Sequence, residues 1–123
     1  MQRPTPRNYR ELDVWQRSME LVESVYKVSK LLPGEERFGL TSQMQRAAVS
    51  IPSNIAEGYG RGGKDYRRFV LISRGSLMEV ETQLELSVRL GFIERDAVRV
   101  PWRLAQDVGK MLNRPSASLL TSE

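Results

Sequence analysis

The chain has 123 residues, 40% of them hydrophobic and 28% charged, with 19 Lys and Arg against 15 Asp and Glu for a formal net charge of +4. One domain with its own core is the expectation for this length, and the absence of cysteine and histidine excludes a disulfide framework, thiolate or imidazole metal sites and the commonest general base near neutral pH. The opening MQRPTPRNYRELD holds no apolar run of signal-peptide type, and no window approaches the ~20 apolar residues of a membrane span, so a cytoplasmic protein without membrane partners is expected.

The first helix is predicted over about 12–32. Leu12, Trp15, Met19, Val22 and Tyr26 form one apolar seam, and Val14, Leu21, Val25, Val28 and Leu32 form another. Together they cover roughly 200° of the wheel, against the ~100° stripe of an ordinary surface helix. The surplus reads either as central packing or as a subunit interface, with Val14, Leu21, Val25 and Val28 as the interface candidates. Pro33, Gly34 and Gly39 mark a connection.

The second helix is predicted over about 42–57, with Met44, Ala47 or Ala48, Ile51 and Ile55 on one face. Ser42 and Gln45 have the spacing of a capping box, and Gly58 suits a left-handed stop. Pro52 falls inside the stripe, where a kink costing roughly 3 kcal/mol is expected unless packing compensates, and Asn54 is placed to satisfy backbone groups that the proline frees. The third helix is predicted over about 65–90, with Tyr66, Phe69, Ser73, Leu77, Val80, Leu84 and Val88 inward. Small residues at Ser73, Gly75 and Ser76 invite close approach by Ala47 and Ala48. The fourth, about 94–112, carries Val98, Leu104, Val108 and Met111 in register, but Pro101 interrupts it, so it kinks or begins late. A loosely ordered tail is expected over 114–123.

QMQRAAVSIPSNIAEGYGR, preceded by ELDVWQRSMELVESVY and followed by FVLISRGSLMEVETQLELSVRLGFI, resembles the four-helix-bundle proteins encoded by intervening sequences of bacterial 23S ribosomal RNA genes, from about Tyr9 to Leu112. That family also resembles the accessory protein of diversity-generating retroelements, a pentameric bundle that partners a reverse transcriptase and nucleic acid. The resemblance implies an all-α, antiparallel up-down-up-down four-helix bundle in one domain, 1–123, and a homo-oligomer, five-fold by analogy. A reverse transcriptase is a further partner implied only in this way.

Charge supplies the functional clue. Between Arg37 and Arg74 stand seven basic residues, Arg37, Arg46, Arg61, Lys64, Arg67, Arg68 and Arg74, against only Glu57 and Asp65. Lys64, Arg67 and Arg68 also open a helix, where the dipole favours acids, each placement costing about 0.3–1 kcal/mol. Arg46, Arg61, Lys64, Arg67, Arg68 and Arg74 are therefore the candidate surface for RNA or another nucleic acid, led by phosphate charge and not by base readout. Tyr59 and Tyr66 stand nearby for stacking, although Tyr66 also continues the apolar stripe and reads as core. The rival is a protein-interaction scaffold in which the arginines bind an acidic partner or a neighbouring subunit.

Two lookalikes are rejected. Gly58, Gly60 and Gly63 match GxGxxG, and Gly58–Lys64 begins a P-loop, but both motifs need a preceding strand and Asp65 stands where the P-loop needs a hydroxyl. Carboxylate-bridged metal sites in four-helix bundles need histidine partners, so no metal, cofactor or catalytic residue is expected. Glu57 reads as a salt-bridge partner for Arg46, Arg61 or a neighbour.

Overall fold

The computed structural model describes residues 8–114, which contain four α-helices, three short 3-10 turns and no strand. α1 spans Asp13–Ser29, α2 Leu40–Arg61, α3 Gly63–Arg89 and α4 Arg99–Leu112. α1 and α3 each pack on both α2 and α4, which closes the all-α four-helix bundle, with α2 against α3 the most extensive pairing. Ser50 of α2 meets Ser76 of α3 while Ile51 meets Ser73, a register that rises on one helix as it falls on the other, so the two run antiparallel.

The core follows the helical stripes. Leu21 and Val25 of α1, Met44, Ile51 and Ile55 of α2, Tyr66, Val80 and Leu84 of α3, and Ala105 and Val108 of α4 are all removed from solvent, each large side chain contributing about 1.5–3 kcal/mol of transfer free energy. On α1 the roles of the two seams differ from expectation. Val14, Leu21, Val25 and Val28 are at most 7% exposed within the monomer, so they are core residues and not a subunit interface. The other seam keeps a free edge, with Met19 and Tyr26 exposed and Trp15 and Val22 half-buried.

Several boundaries are decided by contacts that the sequence pattern does not display. α2 begins at Leu40 with no capping box: Glu36 reaches forward to accept from the Leu40 amide at 3.1 Å, and Gln45 instead donates to Ser29 of α1 at 2.9 Å. α2 runs on through Gly58, which lies in contact with α3. A Cβ there would stand 2.6 Å from the Phe69 Cβ, so glycine is required by proximity and not by a left-handed stop. Pro52 is buried inside the helix. Asn54 donates to the carbonyl and hydroxyl of Ser50 at 2.8 and 2.9 Å, not to the carbonyl of Ala48 that the proline leaves without its donor. Ser73 and Ser76 do bring α3 against α2, the first donating to the Ile51 carbonyl at 2.9 Å and the second sharing a 2.8 Å bond with Ser50. Gly75 faces open space and takes no part. α4 begins late, after a 3-10 turn over Arg95–Val98, which puts Pro101 in the first turn where its missing amide has no intrahelical role. Of the loose tail expected over 114–123, all but Arg114 lies outside the described residues.

Candidate nucleic-acid interface

Gly62 is the whole connection between α2 and α3, and φ values of 74° at Gly62 and 53° at Gly63 put both in the left-handed region that favours glycine. This reversal gathers Arg61, Lys64, Arg67 and Arg68 at one end of the bundle. Arg61 pairs with Glu57 at 3.3 Å and reaches Asp65 at 4.0 Å, while Arg68 reaches Asp65 at 3.9 Å. Both guanidinium groups also sit over Phe69, at 5.2 and 5.1 Å from the ring centroid. These exposed pairs are individually weak, yet they hold two of the four cations against the protein surface. Lys64 and Arg67 are exposed, with no carboxylate within ion-pairing distance among the described residues.

The remaining two predicted cations separate. Arg46 lies fifteen residues before Arg61 on α2, about 22 Å along the helix, in a different cleft lined by Gln43, Ser50, Ser76, Glu79 and Gln83. It does not belong to the same patch. Arg74 lies seven residues after Arg67, about 10 Å along the same side of α3, and borders a groove of about 200 Å³ between α3 and α4 that also receives Lys110 and Asn113. Glu81 closes the far end of that groove and accepts a 3.3 Å bond from Gln106.

Lys110 belongs to a second basic surface that segment-by-segment charge counting misses. Arg99, Arg103, Gln106 and Lys110 recur at intervals of four, three and four, the spacing of one helix face. The opposite face carries the buried Ala105, Val108 and Leu112. Arg99 pairs with Asp96 at 3.0 Å, whereas Arg103 and Lys110 have no carboxylate at ion-pairing distance among the described residues. From Arg95 to Arg114 the sequence has five basic and two acidic residues. That excess disappears in the chain-wide sum because acids elsewhere cancel it. The signal was present as periodicity, and only packing shows that this ridge adjoins Arg74.

Tyr66 is core, at 1% exposure, with the half-buried Tyr59 edge-on at 6.1 Å between centroids. Tyr66 is therefore not available to stack on a base, as its place in the apolar stripe implies. The GxGxxG and P-loop lookalikes lie at a helix-to-helix reversal, and no strand occurs among the described residues. The same residues contain no cluster of three or more potential metal-ligating groups, and no helix is long and apolar enough to cross a membrane.

Among solved structures, a protein of unknown function from the S23 ribosomal protein family of Bacteroides thetaiotaomicron VPI-5482 is similar to this chain, with a TM-score of 0.73 and 26% identity over 80% of this chain and 94% of that one. No curated protein matches the chain. Residues 10–114 match the family described as 23S rRNA-intervening sequence protein, a span that contains all four helices and the whole α3–α4 basic surface. The chain belongs to the 23S rRNA-intervening sequence protein family.

Proposed function

We propose that this protein is a non-enzymatic, self-associating binder of RNA or other nucleic acid, acting in the cytoplasm, whose contact surface runs from the α2–α3 reversal along the groove between α3 and α4. The observation that carries this reading is the meeting of Arg74 and Lys110 in one groove, with Arg67 and Arg103 each two turns further along their own helices and, among the described residues, no carboxylate paired to any of the four. Cations left unpaired on a folded surface are available to phosphates, and each phosphate neutralised releases counterions.

Self-association is supported by apolar surface that the monomer leaves open. On α3, Ile72 and Leu86, with Leu90 just past the helix end, form an exposed stripe on the side away from Arg74, with Leu90 at 58%. On another side, Trp15, Met19, Val22, Val49, Pro52 and Ala56 line an apolar groove between α1 and α2. Two different apolar patches on one chain favour head-to-tail contacts, which close into a ring when the rotation between subunits divides the full turn, and the resemblance to the retroelement accessory protein implies five subunits. A ring repeats weak phosphate contacts and adds them through multivalency.

The test is a titration of the protein with a 23S ribosomal RNA fragment and an unrelated RNA of equal length at two salt concentrations, beside an Arg67→Glu/Arg74→Glu/Lys110→Glu variant. Affinity that falls steeply with salt and collapses in a variant of unchanged oligomeric mass is expected. No binding at low salt would overturn the reading and leave the scaffold, with the arginines serving an acidic protein partner.

A further inference from the structure

Among the exposed aromatic residues described, Trp102 and Tyr26 carry neither a ring nor a cation contact, and Trp102 alone of the two stands in a cleft with basic side chains. It is 39% exposed on α4, where an indole forfeits much of the burial that makes it the largest hydrophobic contributor. Trp15 rests edge-on against Tyr9 at 5.3 Å, Phe38 carries Arg37 over its ring, and Phe69 carries Arg61 and Arg68. No described ring or cation covers Trp102. Around it, Asp96, Arg99, Val100 and Arg103 line a cleft of about 530 Å³.

We propose that Trp102 is a stacking platform for an unpaired base, so that the α4 face takes single-stranded nucleic acid in preference to duplex. This inference rests on the nucleic-acid reading above and names the form of the ligand. An indole face offers no charge and no hydrogen-bond pattern, so it accepts any base whose π-face is free. In a duplex those faces are occupied by neighbouring base pairs. The charges around the cleft also orient the strand. Asp96 repels phosphate at one end and pairs with Arg99 at 3.0 Å, while Arg103, without a carboxylate partner among the described residues, and then Lys110, about 12 Å from Trp102 along the helix axis, draw the backbone towards the α3–α4 groove.

The experiment uses a Trp15→Phe protein, in which Trp102 is the sole tryptophan, titrated with a uridine-rich 12-nucleotide RNA and with the same RNA annealed to its complement. Quenching of Trp102 by the single strand and not by the duplex is expected. Trp102→Ala in the otherwise unaltered chain should weaken single-strand binding about 5- to 150-fold, the range of one base–aromatic stack. The slope of log affinity against log salt should not change, because no cation is removed, and Trp102→Phe should restore most of the loss. Unchanged affinity of Trp102→Ala with no quenching, while salt-dependent binding persists, would overturn this inference and leave the nucleic-acid reading intact. A lower sedimentation mass for Trp102→Ala would overturn it differently, by assigning Trp102 to subunit contact. Absence of binding by the unaltered protein at low salt would remove the underlying reading itself.

Discussion

Tyr66 couples burial to pH. Desolvation, with a smaller contribution from the neighbouring Tyr59, pushes its phenol from 10 up to about 12. The folded state therefore holds this proton more tightly than the unfolded chain does. The associated stability is fully present below pH 10 and is lost as the pH rises through about 12. Thermal melts between pH 9 and 12 should fall more steeply for the unaltered protein than for Tyr66→Phe, and parallel curves would contradict the assignment. Gly58 and Gly75 make a paired test of packing. Gly58→Ala drives a Cβ into Phe69, at 2.6 Å, and overpacking of about 1–3 kcal/mol is only partly offset by helix propensity, so urea unfolding should show a net loss. Gly75 meets nothing, and Gly75→Ala should stabilise by about 1 kcal/mol. Both glycines were visible in the sequence. Which one sits against another helix was not, because that depends on the α2–α3 register.

Between α3 and α4 the chain is tied by Glu85, which accepts two bonds from Arg95 at 3.0 Å and one from Arg89 at 2.9 Å. These hydrogen bonds, Arg95 first, hold its carboxyl at about 2, below an ordinary 4.5. The contribution is present above pH 4.5 and disappears as the pH falls towards 2. Arg95→Ala should move the Glu85 titration, followed by carboxyl chemical shift, back towards the ordinary range and bring acid unfolding to a higher pH. Helix type and inner faces were legible from apolar periodicity, as at Met44, Ile51 and Ile55 of α2. The ends were less legible, since Glu36 supplies a cap from outside the helix and Gly58 imitates a stop.

For the whole molecule, the exposed side of α3 that carries Ile72 and Leu86 is separate from the groove that joins Arg74 to Lys110, and the two should separate by mutation. Ile72→Glu/Leu86→Glu should reduce the sedimentation mass towards that of a monomer without unfolding it, because both side chains are already exposed and neither lines the basic groove. Arg74→Gln should leave the mass unchanged and lower the salt slope of RNA binding by about 1, as loss of one phosphate contact does.

The sequence by itself determined the class and much of the interior. Apolar residues at helical spacing must be buried somewhere, and four such stripes in a chain of this length leave a bundle as the economical solution. It also marked Arg61, Lys64, Arg67 and Arg68 as a basic group, because they are close in the chain. Tertiary structure decided everything that depends on which face meets which. It buried Val14, Leu21, Val25 and Val28 inside the monomer, removed Arg46 from the group, and brought Lys110 beside Arg74 across a groove. Periodicity specifies the faces of each helix, but the rotation and register of one helix against another come from the fit of side chains such as Ser50 with Ser76 and Gly58 with Phe69, which no one-dimensional pattern contains.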